Sequence, residues 1–315
     1  MLRRPRTDFW QVGIVQADIA EATPSFLAER RQDVAWMPPA GPWRYFADPF
    51  ALRRGDTLHV FVEAFDHRTK HGTIERHDYA LSERRWSAGR TVLERPFHLS
   101  YPYVFEHEGQ VFMVPESQQA GEIALYRADP SLDGWTRVCE LLPVRGVDAS
   151  LFQHGGRWWM FYAVIGAGGL DQRELRVAHA PALTGPWTPV ASNPVRIDLA
   201  GARPAGSPFV GADGKVCLPV QDCSRTYGGA LQLLRFDELR PDRVRVEAAG
   251  IRYNGGLVSD DHTDGFHTLS SCGDLTLFDV KRIDRSRAKQ WLDLKRRAKR
   301  LADRLSGRRR QPLPA

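Results

Sequence analysis

FADPFALRRGDTLHVFVEAF, residues 46–65, reads as a short apolar strand, a polar turn closing on Gly55, and a second apolar strand. Glycine in such a turn supplies the positive φ that a tight hairpin needs. The pattern returns as YPYVFEHEGQVFMVPES at 101–117, VDASLFQHGGRWWMFYAV at 147–164, SPFVGADGKVCLPVQD at 207–222 and FHTLSSCGDLTLFDV at 266–280. The turn glycines Gly55, Gly109, Gly156, Gly214 and Gly273 stand 54, 47, 58 and 59 residues apart, room for one four-stranded sheet per copy. The expected fold is all-β: a five-bladed β-propeller over 1–283, followed by a basic amphipathic helix and disordered tail over 284–315. In such a ring the first strand of each blade lines the central axis. Polar residues that recur on those strands therefore become neighbours in space.

Composition fits one large β-domain. A chain of 315 residues with nine Trp, fifteen Phe and 21 Pro can bury a substantial core and is rich in strands and loops. No segment approaches the ~20 apolar residues of a membrane span. The start, MLRRPRTDFWQVG, is basic but has no apolar stretch of a secretory signal, so the expected location is the cytoplasm. Cys139, Cys217, Cys223 and Cys272 have no metal or redox spacing and read as reduced thiols.

Charge is concentrated at the C-terminus. From Lys281 to Arg310 there are 14 Lys/Arg against Asp284, Asp293 and Asp303, a net +11 in a chain of net +6. Trp291, Leu294, Ala298, Leu301 and Leu305 fall on one stripe of a helix that Ser286 can begin and Gly307 can end. A narrow apolar face with a Trp and basic flanks suits an anionic membrane surface, met through residues 285–310 on the inner face. Docking on the propeller is the plainer alternative. No other part of the chain reads as a nucleic-acid module, which speaks against that partner.

The axis candidates follow from the repeat. First strands offer Asp48, Tyr101 with Ser100, Asp148, Arg203 and His267; second strands end in Glu63, Glu116, Gln221 and Asp222. A carboxylate inside an aromatic strand is costly to bury unless it is hydrogen-bonded or working. Asp48, Glu116 and Asp148, from three blades, form the set that acid–base chemistry at a glycosidic bond requires: one takes a proton, one gives it, one tunes the others. Arg203 suits a substrate phosphate or carboxylate, or an internal ion pair. QDCSRTYGG, residues 221–229, has the composition of a binding loop, with Arg225 and Tyr227 as its contacts. Trp43 and Tyr45 are placed to line the pocket mouth. His267 could hold a channel ion or a hydroxyl, though no His/Cys/Asp cluster has metal-site spacing. Trp158 and Trp159 read as packing residues.

The stretches DFWQVGI, WRYFADPF, HLSYPYVFEHEGQVFMVPES, EIALYRA, GVDASLFQHGGRWWMFY, LTGPWTPVASNPV, ARPAGSPF, QDCSRTYGGAL and GFHTLS, spread over about 8–283, carry a family resemblance. Together they resemble the N-terminal β-propeller domain of plant glucosamine inositolphosphorylceramide transferases, which bacteria also carry, and imply a bacterial homologue of that domain. More distantly, ADPF, VDASLF and the LTGPW turn are similar to the five-bladed glycosidases of the arabinanase and β-xylosidase clan. That similarity implies Asp48 as base, Asp148 as the residue tuning pKa values, and Glu116 in place of the acid. The clan's acid normally lies in a blade after the tuning Asp, where this chain has Arg203 and Gln221. No stretch resembles the plant proteins' second domain, a nucleotide-sugar transferase module. The resemblance implies a glycosyltransferase acting on a glycolipid or lipid-linked saccharide; no cofactor is expected beyond a candidate nucleotide-sugar donor and a candidate channel ion near His267. A glycoside hydrolase and a non-catalytic saccharide-binding module remain the alternatives.

Overall fold

The computed structural model describes residues 6–305 except 167. Each glycine-anchored repeat forms the inner hairpin of one antiparallel sheet, and five sheets make a five-bladed β-propeller with a C-terminal helix. Blade 1 runs outward through Arg44–Arg54, Thr57–Asp66, His71–Ala80 and Arg85–Trp86. Blade 2 runs through Ser100–His107, Gln110–Glu116, Ile123–Ala128 and Trp135–Leu142. Blade 3 uses Gly146–His154, Arg157–Val164, Glu174–Ala180 and Thr188–Pro189. In blade 4 the inner strand is broken into Arg203–Pro204 and Phe209–Val210, both paired with Val216–Asp222, and Ala230–Arg240 and Arg243–Tyr253 lie outside.

Blade 5 has only two strands from its own repeat, Gly265–Cys272 and Leu275–Asp284. The N-terminal strand Thr7–Gln16 supplies the third, pairing in register from Thr7↔Asp284 to Gln16↔Leu275, and Ala35–Trp36 supplies the fourth. The sequence reading placed residues 1–43 in no blade; here they complete the last one and close the ring. Such closure leaves no long unpaired edge between the first and last blades.

The five turn glycines all have positive φ, from 59° to 76°, and a side chain at any of them would meet open space. Backbone strain, and not room, selects glycine there. Apolar clusters lie between neighbouring blades. Trp158 reaches back to Phe105 and His107 of blade 2, while Trp159 joins the buried cluster shared with blade 4. The four cysteines are unpaired.

The inner strands share one irregularity that positions the site. In blades 1, 2, 3 and 5 the hairpin register slips between Ala47/Phe50, Ser100/Tyr103, Val147/Ser150 and Phe266/Thr268. The displaced residues are Asp48, Tyr101, Asp148 and His267. The first three have φ of 52°, 45° and 51°. Left-handed non-glycine residues cost of order 1–3 kcal/mol each and persist where surrounding contacts over-determine them. In blade 4 the corresponding break holds Gly206, φ 136°, where an added Cβ would lie 1.8 Å from the Leu269 carbonyl oxygen.

The C-terminal helix spans Ala288–Leu305, and Ser286 Oγ accepts the Ala288 amide near its start. Trp291, Leu294 and Ala298 of the expected stripe are exposed. Gly307 and the tail beyond 305 lie outside the described residues. Among the described residues no helix is long and apolar enough to cross a membrane.

Candidate active site

The bulges turn backbone amides toward the axis, and carboxylates receive them. Asp279 Oδ2 accepts the Asp48 amide at 2.8 Å, and Asp48 Oδ2 accepts the Tyr101 amide at 3.2 Å. Asp279 Oδ1 accepts from His267 Nδ1 at 2.7 Å and from the Thr268 amide at 3.0 Å. Asp48 Oδ1 takes the Thr268 hydroxyl at 2.9 Å and lies 3.5 Å from His267 Nε2. A chain of contacts thus runs from blade 5 through blade 1 to blade 2. It offsets the strain of the bulges, because the displaced N–H groups of Asp48, Tyr101 and His267 meet carboxylate acceptors.

On the other side of the axis Arg203 grips Asp148 with two nitrogens, Nε at 2.5 Å and Nη2 at 3.2 Å. Its Nη2 also lies 3.5 Å from Glu116 Oε2, and its Nη1 3.4 Å from Asp171 Oδ2. Gln221 Nε2 donates to Asp148 Oδ2 at 3.0 Å. Arg203, Asp48 and Asp148 are buried, and the Glu116 side chain beside Arg203 keeps 9% of its surface exposed.

Burial in this cluster separates the proton affinities of its acids. Asp48 is pushed up to about 6, chiefly by burial, with His267 opposing and Asp279 and Asp148 adding to the rise. Glu116 is pushed up to about 8 by burial and then by Asp148, against the pull of Arg203. Glu63 rises well above the carboxylate range for the same first reason, and lies 3.4 Å from His98, whose imidazole burial holds down at about 4. Burial alone would lower His267 and Arg203, but Asp279 with Asp48 raises the first above its ordinary value and Asp148 chiefly raises the second.

Above the cluster sits an aromatic cavity of about 360 Å³ that includes Trp10, Tyr45, Phe65, His67 and Tyr227 in its wall. Trp10 stacks on the His267 ring at 3.7 Å, and Tyr227 lies edge-on to His267 and 5.2 Å beneath the Arg203 guanidinium. These two rings join the cavity to the charged groups below. Behind Trp10, Lys281 is fully buried, with Nζ 5.0 Å from the indole and bonded to the Tyr227 carbonyl. Burial lowers its ammonium to about 8. Gly228 permits this packing: an added Cβ would meet His267 at 2.6 Å and Trp10 at 2.8 Å.

Four expected contacts fall elsewhere. Tyr101 occupies the axial bulge, but its ring turns into the core, where its hydroxyl contacts Ser150 at 2.8 Å and receives the Gly206 amide at 2.6 Å. Trp43, at φ 64°, lines a separate groove with Phe9 and Pro39, and only its neighbour Tyr45 reaches the cavity. Asp222 is turned outward to an ion pair with Arg252, and Arg225 lies beside it in a second cavity. Strand alternation explains the split: Gln221 points to the axis, so Asp222 points away.

Sequence reasoning missed Asp279, Trp10, Asp171 and Lys281. Asp279 carried the signal used for the others, a carboxylate within the apolar strand LTLFDV, but stands six residues past its glycine and not seven or eight. Trp10 had no such signal, because its strand belongs to a blade at the other end of the chain. Asp48, His267 and Asp279 also place one ligand atom each within 4.8 Å of one another, the location expected for a channel ion.

Comparison with known proteins places this architecture. A solved structure of the α-L-arabinofuranosidase PaAbf62A from Podospora anserina matches 76% of this chain and 92% of its own at a TM-score of 0.54 and 11% identity. Zg3597, a family 117 glycoside hydrolase from Zobellia galactanivorans, matches 88% of this chain and 91% of its own at 0.52 and 12%. At such identities the likeness concerns the fold. Glucosamine inositolphosphorylceramide transferase 1 of Oryza sativa subsp. indica is 33% identical over 207 residues, 65% of this chain and 28% of the relative. The chain therefore spans little more than a quarter of that relative's length, and the relatives matched are plant proteins, which gives the expected bacterial source no support. The family profile described as glucosamine inositolphosphorylceramide transferase 1, N-terminal, matches residues 35–253. With more than half of its length matched, this chain belongs to that family.

Proposed function

We propose that this protein is a glycosyltransferase acting on a glycolipid or lipid-linked saccharide, with its chemistry at the axial carboxylates. One observation carries the reading: Asp48 and Glu116 share a buried site yet are held apart in proton affinity, at about 6 and about 8. At neutral pH the first is mostly a carboxylate and the second mostly an acid, the pairing that acid–base catalysis needs. In this reading Asp48 takes the proton of the acceptor hydroxyl as its oxygen bonds to the anomeric carbon. Glu116 gives its proton to the departing oxygen. Arg203 and Asp148 hold the acid in place, and the rings of Tyr45 and Tyr227 face the sugar. In this reading the donor is a nucleotide sugar.

Exposed Trp291 and Leu294 among Lys and Arg side chains support an anchor on an anionic membrane, and we place the protein at the cytoplasmic face. Glycoside hydrolysis is the second reading, favoured by the same acid–base pair with water as acceptor. The test is turnover with labelled nucleotide sugars and lipid extract, then with nitrophenyl glycosides alone. Transfer to lipid that disappears in Asp48→Asn, in a protein of unchanged melting temperature, is the expected result. Release of nitrophenol without a donor would replace transfer by hydrolysis. Saccharide binding with neither reaction would leave a non-catalytic module.

A further inference from the structure

A second cavity, of about 620 Å³, opens beside the aromatic one, and Arg6 lines both. Its wall gathers four arginines from four distant stretches of chain: Arg6 ahead of the N-terminal strand, Arg225 in the 221–229 loop, Arg252 on the outer strand of blade 4, and Arg285 after blade 5. Asp222 and Asp264 in the wall and Asp8 in the adjoining cavity answer the four guanidiniums, which leaves an excess of one positive charge; Arg6 grips Asp8 through Nε at 2.9 Å and Nη2 at 3.0 Å. Arg252 engages Asp222 through Nη1, and Arg285 engages Asp264 through Nη2 at 2.9 Å. Each guanidinium has five N–H donors in a fixed fork, so these pairs orient the side chains while leaving donors for another acceptor. Arg225 is exposed at the rim. An anion entering the cavity would meet the donors these carboxylates leave open together with Arg225, and bidentate guanidinium contacts match the oxygens of a phosphoryl group.

We propose that this arginine cavity binds the phosphate of a phosphorylated saccharide substrate while its sugar lies in the adjoining aromatic cavity over the axial carboxylates. The partition between the two is thin: Arg6 donates to Thr226 Oγ1, and the next residue, Tyr227, already faces the axis. A sugar and a phosphate joined by one or two bonds would straddle it. The idea rests on the proposed carbohydrate chemistry and adds the substrate's charge. The phosphate could belong to a lipid headgroup or to a nucleotide-sugar donor.

Calorimetric titration of the full chain at low salt with inositol 1-phosphate, uridine diphosphate and uncharged myo-inositol decides between them. At least one phosphate probe is expected to bind tenfold or more tightly than inositol. Preference for inositol 1-phosphate assigns a headgroup, and preference for uridine diphosphate assigns a donor. Arg225→Gln with Arg285→Gln should weaken that probe at least tenfold; Arg225→Gln alone, at an exposed side chain, serves if the pair impairs folding. Asp48→Asn should leave phosphate affinity within twofold, so loss of turnover and loss of this site are separable. Equal binding of all three probes, or full affinity in the arginine variants, would overturn the proposal.

Discussion

At the scale of single residues, the site is governed by where two protons sit. If Asp48 must be ionised and Glu116 protonated, activity should fall below about pH 6 and above about pH 8, a bell centred near neutrality. A rate–pH profile flat across that window would remove both residues from the chemistry. The same shifts have a stability consequence. Burial raises Glu116 above its ordinary value, so the folded state holds its proton more tightly than the unfolded chain. The stability this lends is whole below about pH 4.5 and is lost as pH rises toward about 8. Glu116→Gln removes that dependence. The variant should be inactive yet more stable than the parent by ~0.5–2 kcal/mol at pH 8, readable in denaturant melts. Asp48, Glu116, Asp148 and Arg203 were legible because charge in an aromatic strand is conspicuous. Tyr101 was legible as an axial position and misleading as a ligand contact: its hydroxyl is bonded to Ser150 and the Gly206 amide, which holds the ring in the core.

Among elements, hairpins were readable and their partners were not. A strand, a glycine turn and a strand are local, whereas the third strand of blade 5 lies some 270 residues from its neighbour in sequence, Thr7 opposite Asp284. The C-terminal helix was legible from its stripe, and the exposure of Trp291 and Leu294 leaves that stripe uncovered among the described residues. Cutting the chain after Gln290 spares Arg285 and Lys289, which contact Asp264 and the Arg6 carbonyl. The truncated protein should melt within a few degrees of the parent and no longer sediment with anionic liposomes. Full-length protein should release from them at 1 M salt, where the screening length falls to ~3 Å. Retention by the truncated form, or indifference of the full chain to such liposomes, would remove the helix as an anchor.

For the whole molecule, the decisive feature is that both ends of the described chain meet in one sheet. Trp10 lies on the closing strand and presses on His267 of the last repeat, so ring closure and site assembly are one event. Deleting residues 1–16 should therefore lower the melting temperature by well over ten degrees and abolish saccharide binding, even though every acidic residue named at the axis is retained. A truncated form that still binds with parental affinity would show that closure is dispensable. The arrangement also bears on how the protein is made. Thr7–Gln16 leaves the ribosome some 270 residues ahead of its partner Leu275–Asp284. At ~5–20 residues per second, that is a wait of roughly a quarter of a minute to a minute with a strand edge unpaired. During that interval nascent copies on one messenger have mutually compatible edges, so exchange of the first strand between neighbours is the misassembly this topology invites, and dilution of translating ribosomes its natural remedy.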